Sequence, residues 1–143
     1  MAINLFWIFT FFFGFGQCLD KDREIKLLLN TKESDCPIMV GIYASEKDFI
    51  EKKSTLASFE FDPGLKDTLI LIPKNVSEIA IAAFEDCNKN NKLDKNILGI
   101  PQESYAISNN ASSKWQEPTF EEARINMVEV EEIQIDFEYW KNR

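Results

Sequence analysis

The sequence predicts an all-β fold, an antiparallel β-sandwich of about seven strands, Ig-like or transthyretin-like, with one long loop and short helical turns. Short runs alternate apolar and polar residues with a period of two, and clusters of Pro, Gly, Asp and Asn punctuate them. One run, Ser77 to Glu85, is apolar on both faces, which is the pattern of an interior strand. A chain of 143 residues that begins with a targeting segment has room for one domain with a real core. The expected organisation is a secretory signal peptide over residues 1–16 and a single β-sandwich domain over residues 17–143.

Leu5 to Phe15 is an uncharged aromatic and aliphatic run, too short to span a bilayer and suited to the hydrophobic region of a secretory signal. Gly14 and Gly16 supply the small-x-small pattern that places cleavage after Gly16 and leaves Gln17 as the new N-terminus. The lack of Lys or Arg before Leu5 departs from the usual signal. A secreted or periplasmic protein without a transmembrane segment is expected. Cys18 stands where a lipid-anchored protein carries its acylated cysteine, but Gln17 and Phe15 are not the residues such a signal prefers. Ordinary secretion is therefore the expectation, and a lipid anchor at Cys18 the alternative. Setting Cys18 aside leaves Cys36 and Cys87 as either a disulfide or two thiols, between which sequence does not choose.

Along the rest of the chain, Ile25, Leu27 and Leu29 alternate with Glu24, Lys26 and Asn30 as a first half-buried strand. Asp35-Cys36-Pro37 interrupts, and Ile38, Val40 and Ile42 restart the alternation as far as Ala44. Ser45 with Glu46 and Asp48 behind it, Phe49 and Ile50 in the middle and Lys52 and Lys53 at the end predict one or two capped helical turns. Ala57, Phe59 and Phe61 share a face opposite Ser58 and Glu60, and Asp62-Pro63-Gly64 forces a turn. Asp67 to Ile72 follows as a strand that Pro73 stops; Ser77 to Glu85, the central strand, then delivers the chain into Asp86. From Asp86 to about Pro118 periodicity is lost, and a loop of that length is functional or disordered. Thr119 and Glu122 form a capping box, and Ile125 to Val128 with Ile133, Ile135, Phe137 and Tyr139 predict a closing hairpin.

Composition excludes some functions. The net charge of -8 argues against nucleic-acid binding, which needs clustered Lys and Arg to neutralise phosphates. The sequence has no histidine, which excludes His-dependent hydrolases and zinc sites built on that ligand.

The run Asp86-Cys87-Asn88-Lys89-Asn90-Asn91-Lys92-Leu93-Asp94 sets short oxygen-bearing side chains at alternate positions, the spacing by which a tight loop wraps a hard cation. In an EF-hand-like register Asp86, Asn88 and Asn90 take the first, third and fifth places, and Asn91 takes the sixth, where a positive backbone angle is needed. Lys92 offers only its carbonyl and Asp94 fits the ninth place. Ile97 stands at the twelfth and cannot ligate, so Glu85, Glu103 or another distant oxygen has to complete the shell. The candidate metal residues are Asp86, Asn88, Asn90, Lys92, Asp94 and Glu103, and calcium is the candidate ion. The competing reading is an Asx-rich turn that hydrogen-bonds its own backbone without metal.

These residues are preceded by Ala82-Ala83-Phe84-Glu85. They are followed by Leu98-Gly99-Ile100-Pro101-Gln102-Glu103, Tyr105, Ser108-Asn109-Asn110-Ala111 and Pro118-Thr119-Phe120-Glu121-Glu122-Ala123. Together, in that order, they resemble the signature of a family of secreted bacterial proteins known as domain of unknown function 2141. That family's run is close to aromatic-His-Asp-x-Asn-x-Asn-Gly; here Glu85 stands at the His and Asn91 at the Gly. The resemblance implies a periplasmic or exported bacterial β-sandwich without an established activity.

Tyr105, Trp115 and Phe120, with Asn109 and Asn110, are candidates for a carbohydrate-stacking surface, or else they pin the long loop to the sheet. Glu103 with Asp94, or Glu121 with Glu122, is the carboxylate pair that a glycosidase would need. The preferred expectation is a non-catalytic exported β-sandwich whose Asp86 to Asp94 loop organises a recognition surface running to Asn110, for a protein or carbohydrate ligand. A hydrolase or accessory enzyme using loop carboxylates and a structural envelope component are the alternatives.

Overall fold

The computed structural model describes residues 22–31, 35–111 and 116–138. The expected signal peptide, the Gln17 terminus, the anchor at Cys18, Trp115 and Tyr139 lie outside the described residues. The elements in order are β1 (Arg23–Asn30), β2 (Ile38–Tyr43), α1 (Glu46–Glu51), β3 (Ala57–Phe61), β4 (Asp67–Ile72) and β5 (Glu78–Glu85). Then come β6 (Tyr105–Ile107), a 3-10 turn (Ser108–Asn110), α2 (Phe120–Ala123), β7 (Ile125–Asn126) and β8 (Glu132–Asp136). The fold is mostly β, in two sheets with short helices. One sheet has the order β4-β1-β8, and the other β3-β2-β5-β6 with β7 also paired to β5.

Alternation decides which side chains enter the core. Leu27, Ile70 and Ile135 of the first sheet join Val40, Ile42 and Ile81 of the second in one buried cluster. Their neighbours in sequence, such as Lys26, Leu69 and Gln134, face outward. Strand β5 is interior, as its two apolar faces require. Its other face lies under a second cluster, in which Ala80 meets Tyr43 of β2, Phe49 of α1 and Phe120 and Ala123 of α2. Gly41 makes room there: a Cβ on it would stand 2.9 Å from the Tyr43 hydroxyl. Both helices carry the caps that the sequence predicts, Ser45 Oγ accepting from Asp48 N–H and Thr119 and Glu122 closing a reciprocal box.

Three expectations are corrected. The sheets are not wholly antiparallel, since β8 runs parallel to β1 with Leu27 opposite Ile133 and Leu29 opposite Ile135. The closing hairpin does not form: β7 pairs with β5, while a turn with Glu129 at φ 61° carries the chain across to the other sheet. Alternation fixes which face of a strand is buried but not which strand lies beside it. The stretch after Asp86 also holds a strand and a 3-10 turn, because β6 has three residues and buries only Ala106 between Tyr105 and Ile107, too little to show a period. Eight strands are thus present among the described residues, where about seven are expected.

Ile81→Ala, at a position with no exposure in the middle of β5, will lower the unfolding free energy by about 2–5 kcal/mol in urea titrations. Leu71→Ala, at a position 55% exposed on β4, will change it by less than about 0.5 kcal/mol.

Candidate functional site

The site grows out of the end of β5. In the β2–β5 ladder Ile38 stands opposite Glu85, and the same register continues outward: Asp86 N–H donates to Pro37 O at 2.9 Å, and Cys36 faces Cys87. These cysteines are bridged with their Cα atoms 4.6 Å apart, the spacing of a directly opposed antiparallel pair between hydrogen-bonded rungs. The disulfide thus locks the root of the loop to the start of β2.

Beyond it the chain folds around its own acids. Asp86 is 1% exposed, and its two carboxylate oxygens accept from Asn90 N–H at 3.1 Å and Asn91 N–H at 2.8 Å. Asn91 takes φ 60°, the left-handed geometry expected at that place. Asn88 Oδ1 accepts from Asn90 N–H at 3.1 Å, and Asn90 Oδ1 from Lys92 N–H at 2.8 Å, so successive Asx turns wind the segment. The carboxamide nitrogens of Asn88 and Asn90 both reach the Asp94 carboxylate, Asn90 at 3.1 Å from each oxygen. Glu103 is 9% exposed and clamps the far side, accepting from Cys87 N–H at 3.0 Å and Asp94 N–H at 3.1 Å. Glu85, at the last position of β5, is buried beneath this loop.

The structure therefore brings Asp86, Asn88, Asn90, Asp94 and Glu103 into one hydrogen-bonded loop. Lys92 joins it through its backbone. Among the described residues no three Cys, Asp or Glu side chains gather as a metal cluster. One organiser has only a weak sequence signal, an Asn two residues before Leu98-Gly99: Asn96 Oδ1 accepts from Leu98 N–H at 2.9 Å and Ile100 N–H at 3.0 Å. With Gly99 at φ 78° this turn lifts Ile97 and Leu98 into solvent, 102% and 76% exposed. An ion pair of Lys95 with Glu117 ties the loop to the segment before α2, and the Lys95 hydrogen bond holds the Glu117 carboxyl below the usual carboxylate range.

Residues 28–135 match the family model described as an uncharacterized protein conserved in bacteria, DUF2141. The chain belongs to this family. No curated protein and no solved structure matches it.

In this DUF2141 chain the motif after the loop is also built into the fold. Ser108, buried, accepts from Ile81 N–H at 2.9 Å and donates to Ala123 O, joining β5 to α2. Asn109 and Asn110 take φ 59° and 51°, and Asn109 Nδ2 donates to Arg124 O at 2.6 Å. Beside them lies an open groove of about 310 Å³ lined by Asn109, Asn110, Ile125, Glu132, Gln134 and Asp136. The Asp136 carboxyl is held below its usual range by hydrogen bonds from Gln134 at 2.8 Å and Asn30 at 3.0 Å. Phe120 packs edge to face on Phe49 with ring centres 6.0 Å apart in the cluster over Ala80, so it holds α2 against the sheet, and Tyr105 is half-buried. The carboxylate pairs of a glycosidase are engaged elsewhere. Glu122 closes the α2 cap, and the Thr119 backbone N–H holds its carboxyl below the usual range, opposite to the raised acid that reaction needs. Glu121 pairs with Arg124.

Asp86→Ala removes the acceptor of two backbone N–H groups and will cost about 2–4 kcal/mol in chemical unfolding, against less than about 1 kcal/mol for Asn88→Ala. Replacing both Cys36 and Cys87 by Ser opens a link across 51 residues and will cost about 4 kcal/mol in the same measurement, by loop-closure entropy.

Proposed function

We propose that this chain is an exported, non-catalytic recognition domain, a β-sandwich of Ig-like or transthyretin-like type, whose 86–103 loop takes a calcium ion and presents the Ile97–Leu98 tip. The observation that carries the reading is the convergence of the Asn88 and Asn90 carboxamides on the Asp94 carboxylate. Rotating a carboxamide by half a turn exchanges its nitrogen and oxygen, so the same arrangement offers two amide oxygens beside a carboxylate, with the Lys92 carbonyl next in the chain. Asp86 and Glu103 keep a second lone pair on each oxygen while their N–H bonds hold the loop in shape.

With Ile97 in place of the bidentate acid at the twelfth position, affinity belongs to the weak class of extracellular calcium modules, about 10⁻⁴–10⁻³ M. The non-catalytic reading is supported by the engagement of Glu103, Asp94, Glu121 and Glu122 with backbone N–H groups, carboxamides or Arg124.

Thermal unfolding in chelator and then in rising calcium and magnesium tests this. Calcium at a hundredfold excess over its dissociation constant will stabilise the fold by about 2.7 kcal/mol, and Asp94→Ala will abolish that rise. An unchanged midpoint up to about 100 mM calcium, a hundredfold excess even for the weakest of that class, would leave the loop as a metal-free Asx turn.

A further inference from the structure

The outer strand β4 does not have the sequence of an edge. Its inward residues Ile70 and Ile72 are buried in the shared core, and its outward residues Leu69 and Leu71 are 65% and 55% exposed. A strand apolar on both faces is the pattern of an interior strand, as in β5, yet among the described residues no strand lies beyond β4. The opposite edge of the same sheet, β8, turns Glu132, Gln134 and Asp136 outward instead.

The ladder shows what this edge offers. Leu29 N–H donates to Lys66 O at 2.8 Å, and in that register the hydrogen-bonded rungs fall at Thr68, Ile70 and Ile72. The N–H and C=O groups of Asp67, Leu69 and Leu71 therefore point away from β1. Native edges are normally blunted by inward charges, a proline or a bulge. From Thr68 to Ile72 none of these occurs, and only Pro73 ends the run.

We propose that β4 is a self-association edge at which two copies of this chain pair antiparallel about Ile70. The strand is complementary to itself in that register. Leu69 of each copy falls opposite Leu71 of the other, both with outward N–H and C=O groups, so each pair exchanges both hydrogen bonds and covers both leucines. At the two ends Asp67 comes level with Pro73, which has no N–H to give and so ends the shared ladder. The operation is a closed two-fold, which consumes both edges and stops at a dimer. A single strand pair is smaller than a standard stable interface, so the dimer forms with rising concentration rather than being permanent.

Sedimentation equilibrium over a wide concentration range, with residue-resolved hydrogen exchange on the same samples, tests this. The expected result is a passage from monomer to dimer in which the Leu69 and Leu71 amides gain protection with concentration, while the Ile70 amide, bonded to β1, is protected throughout. Leu69→Lys, and Leu69→Pro, which removes only an outward donor, will lose the dimer while circular dichroism shows the same fold. Should either variant fail to fold, the exchange pattern of the unaltered chain decides. A monomer at every concentration would overturn the proposal, as would a dimer whose Leu69 and Leu71 amides stay unprotected. Protection of those amides in a monomer would also overturn it, by placing another segment of the same chain on the edge.

Discussion

The arrangement depends on β5 being packed on both faces. A strand covered on both sides needs two separate apolar layers, and the chain supplies them with side chains of different size. Toward the first sheet β5 presents Ile79, Ile81 and Ala83, which fill the main core; on the other side the small Ala80 lets Phe49 and Phe120 of the short helices lie close over the strand. Those helices are too short to be stable alone, so their place on β5 rather than their propensity keeps them folded. Ser108 adds a buried polar link between the same strand and α2.

Because β5 is fixed, the loop that follows it starts from a fixed point. The register that pairs Ile38 with Glu85 carries on through Pro37 and Asp86 to the disulfide, so the ladder and the covalent bond are one construction. From there the segment is shaped by acids that accept backbone N–H groups. A buried carboxylate such as Asp86 is tolerated only when donors surround it, and here the loop's own amides are those donors. The loop is therefore ordered without a helix or sheet of its own, and that order holds the exposed Ile97–Leu98 turn in one orientation.

Much of the frame was legible in the sequence because period-two alternation reports directly on burial. Leu27, Val40, Ile42 and Ile135 all lie where it places them, and the Ser45 and Thr119 caps are local motifs that need no tertiary information. Partner choice was not legible. Nothing in Glu132 to Asp136 says that it will lie parallel to β1, because either neighbour would satisfy the same inward Ile133 and Ile135. The bridge between Cys36 and Cys87 follows from a register that only the folded ladder defines. In the candidate site the spacing of Asp86, Asn88, Asn90 and Asp94 did identify residues that meet. The clamp by Glu103 and the turn at Asn96 depend on contacts across the loop that spacing does not encode.

The parallel pairing of β1 with β8 has a mechanical consequence. Two parallel neighbours run in the same direction, so the chain enters β1 at one end of the pair and leaves β8 at the other. A force drawing the two flanking segments apart would act along these strands rather than across them, loading the rungs from Lys26–Glu132 to Asn30–Asp136 together. Rungs loaded in shear must give way almost at once, whereas an antiparallel hairpin peels open one rung at a time. The fold thus has its stiff axis along the line between its own entry and exit.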